Sequence, residues 1–258
     1  MADELTLRVE GPIARVVIDR PGKRNAMSLA MWQELPSLFG AAAHLPEVRV
    51  IVLQGARPEA FSAGADIGEL VAHSASAELA GRFMDTIEAA TLAMTGCPKP
   101  IVAAISGDCM GGGVELAMAC DVRLASRASR FAIPPARLGA LYGFSSTRRL
   151  VQLVGPGRAK DLLFSARMVE AQEAWDIGLV DQLHAAADFE AAVTKYATTL
   201  CQRARSSLSG AKTMVAAALS ALAEEDAALC RLRLDNFLGE DLREGARAFL
   251  EKRPPSFR

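Results

Sequence analysis

Two short segments constrain this chain more than any other: residues 48–53 (VRVIVL) and 101–106 (IVAAIS). Each is almost wholly apolar, as a strand covered on both faces is, and such strands belong to parallel sheets with helices above and below. A small-residue segment follows each one, residues 61–67 (FSAGADI) after the first and residues 107–113 (GDCMGGG) after the second. Helical periodicity then takes over. Strands alternating with helices predict an α/β core with parallel pairing.

The remaining pattern fits around those two strands. Leu5, Leu7 and Val9 alternate with polar residues and predict a strand. A second strand is expected over residues 13–19, after a turn at Gly11-Pro12. Ser28 is a helix cap for a helix reaching His44, with Leu29, Trp32, Leu35 and Phe39 at helical spacing and Pro36 expected to kink it. Another helix is predicted over residues 77–95, stopped by Pro98-Lys99-Pro100, then one through Met118 and a strand over 121–125. From Thr147 on, the pattern is helical, with long stretches over 189–205, 209–223 and 226–237. We therefore divide the chain into a core over residues 1–200 and a helical C-terminal region over 201–258.

With 258 residues, 51% hydrophobic and 23% charged, the chain buries enough surface to fold without metal or disulfide support. A net charge of −1 gives no basic excess for nucleic acid. Cys97, Cys109, Cys120, Cys201 and Cys230 form no CxxC pair, which fits reduced thiols in a cytoplasmic protein. The N-terminus, MADELTLRVE, has no apolar core of a signal peptide, and no apolar run approaches the roughly 20 residues that span a bilayer. His44, His73 and His184 are scattered without metal spacing and read as surface or packing residues.

Two segments carry chemistry. FSAGADI places small residues after a buried strand, so backbone N–H groups can approach a ligand; it is equally a tight connection under a helix. In residues 107–115 (GDCMGGGVE) a glycine run opens a helix directly after a strand. Free N–H groups at a helix start favour negative charge. The run has no Lys-Ser/Thr of a phosphate loop and is not G-x-G-x-x-G. Glu115 lies in the first helical turn, where a carboxylate also suits the helix dipole.

FSAGADI, the GD-x-x-GGG-x-E-LA-x-AC-D run ending at Asp121, RFAIPPARLG (130–139), the early Arg24-Asn25-Ala26-Met27-Ser28 and the late AFLEKR (248–253) together resemble the enoyl-CoA hydratase/isomerase (crotonase) family. The likeness runs nearly end to end in a fixed order. It implies a spiral of ββα repeats and a C-terminal helical region that builds homotrimers or hexamers. It also implies an acyl-CoA substrate, with coenzyme A part of that substrate and no separate cofactor. The amides of Ala65 and Gly112 align with the pair that holds the thioester carbonyl. Arg24, Ala26, Ala63, Ala65, Asp66, Ile67 and Lys252 fall where the family contacts coenzyme A. Asp66 also suits a helix cap, and Lys252 a solvated charge.

Family members commonly hold two glutamates over the acyl chain. Glu115 matches the first; where the second normally follows a proline in R-F-x-x-P-E, this chain has Pro135. The resemblance thus implies an enoyl-CoA hydratase type of lyase with Glu115 as the one acid/base. The alternatives are a decarboxylase or a C–C or thioester hydrolase using Tyr142, an enoyl-CoA isomerase, and an acyl-CoA binder without turnover. Tyr142, one of two tyrosines, is also readable as a core aromatic.

Overall fold

The computed structural model describes residues 4–220 and 226–257. The chain opens with an antiparallel hairpin, β1 (Leu5–Glu10) and β2 (Ile13–Ile18), turning at Gly11. A 3-10 turn (Pro21–Lys23) leads to α1 (Leu29–His44), whose start is capped by the Ser28 hydroxyl accepting from the Met31 amide. Pro36 does not break α1.

Three repeats follow. Each runs from a strand of one sheet, through a short strand of a second sheet, to helix. The first is β3 (Val50–Gly55), β4 (Ala60–Ser62), α2 (Ile67–His73) and α3 (Ala77–Thr95). The second is β5 (Ile101–Ile105), β6 (Asp108–Met110) and α4 (Gly112–Ala119). The third is β7 (Val122–Ser126), β8 (Arg130–Ala132), α5 (Pro135–Leu138) and α6 (Phe144–Ser165), the last broken at Gly155. Then come β9 (Val169–Glu170), α7 (Ala171–Asp176), β10 (Gln182–His184), α8 (Phe189–Cys201), α9 (Arg205–Ala218), α10 (Ala227–Leu238) and α11 (Glu240–Leu250).

The larger sheet has the order β1-β2-β3-β5-β7-β10 and is parallel from β2 onward; the smaller has the order β4-β6-β8-β9. This is the ββα spiral. Both faces of the larger sheet are covered, which is why β3 and β5 lack polar alternation. Ile51, Leu53, Ile101, Ala103 and Ile105 join the main core. Val50, Val52, Val102 and Ala104 face the other way, onto Phe189, Val193 and Ala197 of α8.

The second sheet is absent from the sequence reading. Its strands are two or three residues long, too short for a period-2 signal. For the same reason the wholly helical stretch expected after Thr147 is corrected by β9 and β10. The last three residues of the stretch expected over 209–223 lie outside the described residues. Among the described residues, no helix is long and apolar enough to cross a membrane.

One buried side chain ties the first turn to the second sheet. Asn25 sits in the left-handed region at φ 59° and is 4% exposed. Its Oδ1 accepts from the Arg20 amide at 2.9 Å, and its Nδ2 donates to the Ala60 carbonyl at 2.8 Å. Asn25→Ala would leave buried backbone groups unpaired in a conformation alanine disfavours. A loss of about 2 kcal/mol or more is expected, measurable as a lower urea midpoint.

Candidate active site

The loop after β4 and the start of α4 come together with no room for side chains. Gly64 has φ 94°, and a Cβ there would lie 2.7 Å from the Met110 carbonyl oxygen and 2.9 Å from the Gly112 nitrogen. A Cβ on Gly112 would meet the Ala65 nitrogen at 3.2 Å and the Trp32 ring at 3.0 Å; one on Gly113 would meet the Ser62 oxygen at 2.4 Å. Glycine is therefore required by contact, and the contact brings the amides of Ala65 and Gly112 together.

Both amides are left available to a ligand by the local structure. The bridge between Met27 and Ala65 is made by the Met27 amide to the Gly64 oxygen (2.7 Å) and the Asp66 amide to the Met27 oxygen (2.9 Å), so it passes over the Ala65 N–H. Gly112 is the first residue of α4, where an N–H has no partner within the helix. The two donors, one from the loop after β4 and one from the helix start, form a cradle for a developing oxyanion.

Glu115 stands three residues beyond Gly112, on the same face of α4. It is 8% exposed. Burial raises its carboxyl from 4.5 to about 7; a hydrogen bond with Ser146 and the Arg149 charge oppose the rise, and Glu88 adds to it. A carboxyl of this kind exchanges protons at neutral pH.

The amide pair and Glu115 line one cavity of about 640 Å³. Its apolar walls include Leu70, Phe83, Met84, Ile87, Leu138 and Leu141. Ala63, Ala65 and Ile67 line it as well. Arg24, Ala26 and Asp66 stand behind that wall. The Arg24 oxygen accepts from the Ala63 amide (3.0 Å), and the Ala26 oxygen accepts from Arg20 Nη1 (3.0 Å). Asp66 caps α2 through the Gly68 amide (2.9 Å) and pairs with Arg20 at 2.8 Å, which holds its carboxyl below the usual range. Lys252 is not among the residues that line the cavity. The tail that carries it is tied back by the Phe257 carbonyl, which accepts from Arg49 Nη1 at 3.3 Å. Arg49 precedes β3, so this anchor lies at the opposite end of that strand from the loop holding Ala65.

Tyr142 lines the cavity, but its hydroxyl donates to the Gly111 carbonyl at 2.6 Å. Its one proton is committed there, so the sequence-based role as donor to a substrate oxygen loses its geometric basis. Burial first, and the Glu115 charge next, push the phenol well above its ordinary value. The Gly111 carbonyl and the Gly112 N–H are two ends of one peptide group. The phenol therefore fixes and polarises the amide that faces the cavity.

Among the cavity residues that the sequence did not single out for chemistry are Glu88, Ser146 and His73. His73, expected on the surface or in packing, stacks on Phe83 with ring centroids 5.3 Å apart. Of these only Glu88 falls within a helix expected from the sequence; His73 ends α2 and Ser146 lies in the first turn of α6, both outside the expected helices, and periodicity does not reveal what a side chain faces. Pro135 also lines the cavity, at the first position of α5.

Comparison with known proteins agrees with this geometry. A family described as enoyl-CoA hydratase/isomerase matches residues 8–258. The short-chain-enoyl-CoA hydratase of Clostridium acetobutylicum is 33% identical, over 97% of this chain and 96% of its own length. The crotonyl-CoA hydratase of Syntrophomonas wolfei is also 33% identical, over 99% and 98%. The crystal structure of an enoyl-CoA hydratase/isomerase family protein from Hyphomonas neptunium superposes with a TM-score of 0.95 at 37% identity, covering 99% of this chain and 97% of that one.

The raised carboxyl of Glu115 has a cost to folding. Below about pH 4.5 both folded and unfolded states are protonated and the cost vanishes. It grows as pH rises to about 7, where it reaches about 3 kcal/mol. Glu115→Gln removes the ionisation and keeps the shape. Its stability relative to the parent is expected to improve steadily from pH 4.5 to 7 and then level off, as read from urea unfolding at each pH.

Proposed function

The chain belongs to the enoyl-CoA hydratase/isomerase family, and from that premise we propose that it hydrates the double bond of an enoyl-CoA. One observation carries the proposal: two available amides and a buried carboxyl of pKa about 7 line one apolar cavity. The thioester oxygen accepts from the Ala65 and Gly112 amides, so charge that builds on it as water adds to Cβ is stabilised. A donor of this kind contributes about 2.7–4 kcal/mol to lowering a barrier. Glu115, protonated, then delivers its proton to Cα, and in the reverse direction takes it back. Ala63, Ile67 and the segment bearing Arg24, Ala26 and Asp66 hold the coenzyme A portion. Within one protomer nothing supports Lys252 in that role. The decarboxylase and hydrolase alternatives rested on a free Tyr142 phenol and are not favoured by its bond to Gly111.

The tail over residues 201–258 is proposed to assemble the protein into homotrimers or into hexamers, as dimers of trimers. No described residue of α9 or α10 is buried in the protomer, and Val215, Leu234, Phe237 and Leu238 are each at least half exposed. Apolar faces of this extent mark contact surfaces. Light scattering at micromolar concentration is expected to give a mass of three or six chains; a monomer mass overturns the assignment.

Catalysis by protonated Glu115 sets a pH dependence. The groups that bear on it are Ser146 and Arg149 from α6, Glu88 from α3, and Tyr142. Crotonyl-CoA hydration is expected to fall as pH rises above about 7, where Glu115 loses its proton. Glu115→Gln is expected to cut kcat by about 10² or more and abolish the pH limb. Parental turnover in that variant would overturn the role given to Glu115.

A further inference from the structure

Hydration needs two proton transfers: one leaves the water that adds to Cβ, and one reaches Cα. Glu115 accounts for the second. In the resemblance drawn from the sequence, a second glutamate stands at the position occupied here by Pro135, a residue with no proton to exchange. The cavity nevertheless holds another carboxyl. Glu88, on α3, lines it together with Glu115.

The two carboxyls reach the cavity from different helices, and one turn of α6 gathers them. The Ser145 hydroxyl donates to Glu88 Oε1. The next residue, Ser146, is hydrogen-bonded to Glu115. The two acids sense each other across the cavity, the Glu88 charge adding to the rise of the Glu115 carboxyl. Arg149, one turn further along α6, is attracted to both, and its Nη1 is buried with no hydrogen-bond partner among the described residues. The second oxygen of Glu88 stays open: a Cβ on Gly143 would lie 4.0 Å from Oε2, and Gly143 lines the cavity without a side chain to cover it.

We propose that Glu88 is the second catalytic carboxyl, holding and deprotonating the water that adds to the enoyl-CoA. This rests on the hydration reading above. As the water oxygen bonds to Cβ, Glu88 takes one of its protons. The π electrons move toward the thioester, leaving an enolate whose oxygen is held by the Ala65 and Gly112 amides. Glu115 protonates Cα. The product has gained OH at Cβ and H at Cα, the elements of one water. A proton then passes from Glu88 to Glu115, and both are ready for the next turnover. The division of labour follows burial: Glu115 is enclosed and holds its proton, while Glu88, only partly buried, meets incoming water.

The test uses two reactions of the full-length protein. Crotonyl-CoA hydration needs the attacking water. Exchange of the Cα hydrogens of butyryl-CoA with D2O needs Glu115 and the amide pair but no nucleophile. Glu88→Gln is expected to lower hydration kcat by about 10²-fold, leave KM within about threefold, and leave exchange near the parental rate. Formate is expected to restore part of the hydration lost in Glu88→Ala by supplying a carboxylate to the vacated space. Parental hydration by Glu88→Gln overturns the role of Glu88 while the hydration reading stands. Loss of exchange together with hydration overturns it too, because the substitution then acts through the fold. A parent that catalyses exchange but does not hydrate crotonyl-CoA sinks the hydration reading, and the role of Glu88 with it.

Discussion

The structure depends on the contact between the loop after β4 and the first turn of α4. The contact is backbone to backbone, and a single methyl group at Gly64 or Gly113 would come within 3 Å of main-chain atoms across it. The two β-sheets bring these segments together. β4 and β6 are neighbours in the smaller sheet because β3 and β5 are neighbours in the larger one. The spiral thus turns two distant glycine-rich segments into one pair of amide donors. Their rigidity matters, because a preorganised donor needs no reorientation when charge develops.

The neighbourhood of that contact explains the electrostatics. An apolar wall and a helix start act in opposite directions on Glu115: burial disfavours its charge while the helix dipole favours it. Burial prevails, and the carboxyl is raised to about 7. The same enclosure raises the Tyr142 phenol, whose hydroxyl is bound to the peptide group carrying the Gly112 amide. One aromatic side chain therefore links the acid and the amide pair. Trp32, fully buried, packs against Gly112 closely enough that a Cβ there would lie 3.0 Å from its ring.

The C-terminal helices obey a different rule. α8 closes the outer face of the larger sheet and is amphipathic in the ordinary way, with Phe189, Val193 and Ala197 inward. The helices after it keep their apolar residues on the outside of the protomer, from Val215 to Phe249 and Leu250. Such helices look poorly packed when considered alone and make sense as surfaces for other copies of the chain.

The sequence by itself determined a great deal. Continuous apolarity in residues 48–53 and 101–106 required a sheet covered on both faces, and helix limits at Ser28 and at residues 77 and 95 were legible because caps and proline are local signals. The glycine run and Glu115 stood out because the run opens a helix directly after a strand, and the full-length family likeness supplied a meaning that the run alone does not carry. The smaller sheet was not legible, since two- and three-residue strands carry no period. Tertiary structure alone decided which helix faces converge. Glu88 reads in sequence as one more polar residue on an amphipathic helix, and only the packing of α3 and α6 against α4 turns it toward the cavity. Tyr142 was readable both as a donor to substrate and as a core aromatic, and the fold gave its proton to the Gly111 carbonyl. The Arg49 bond to the Phe257 carbonyl, between residues far apart in the chain, sets where the tail bearing Lys252 lies within the protomer. Local signals fix elements, because caps and periods act within a few residues. Sites depend on contacts between residues tens of positions apart, and those exist only once the chain has closed on itself.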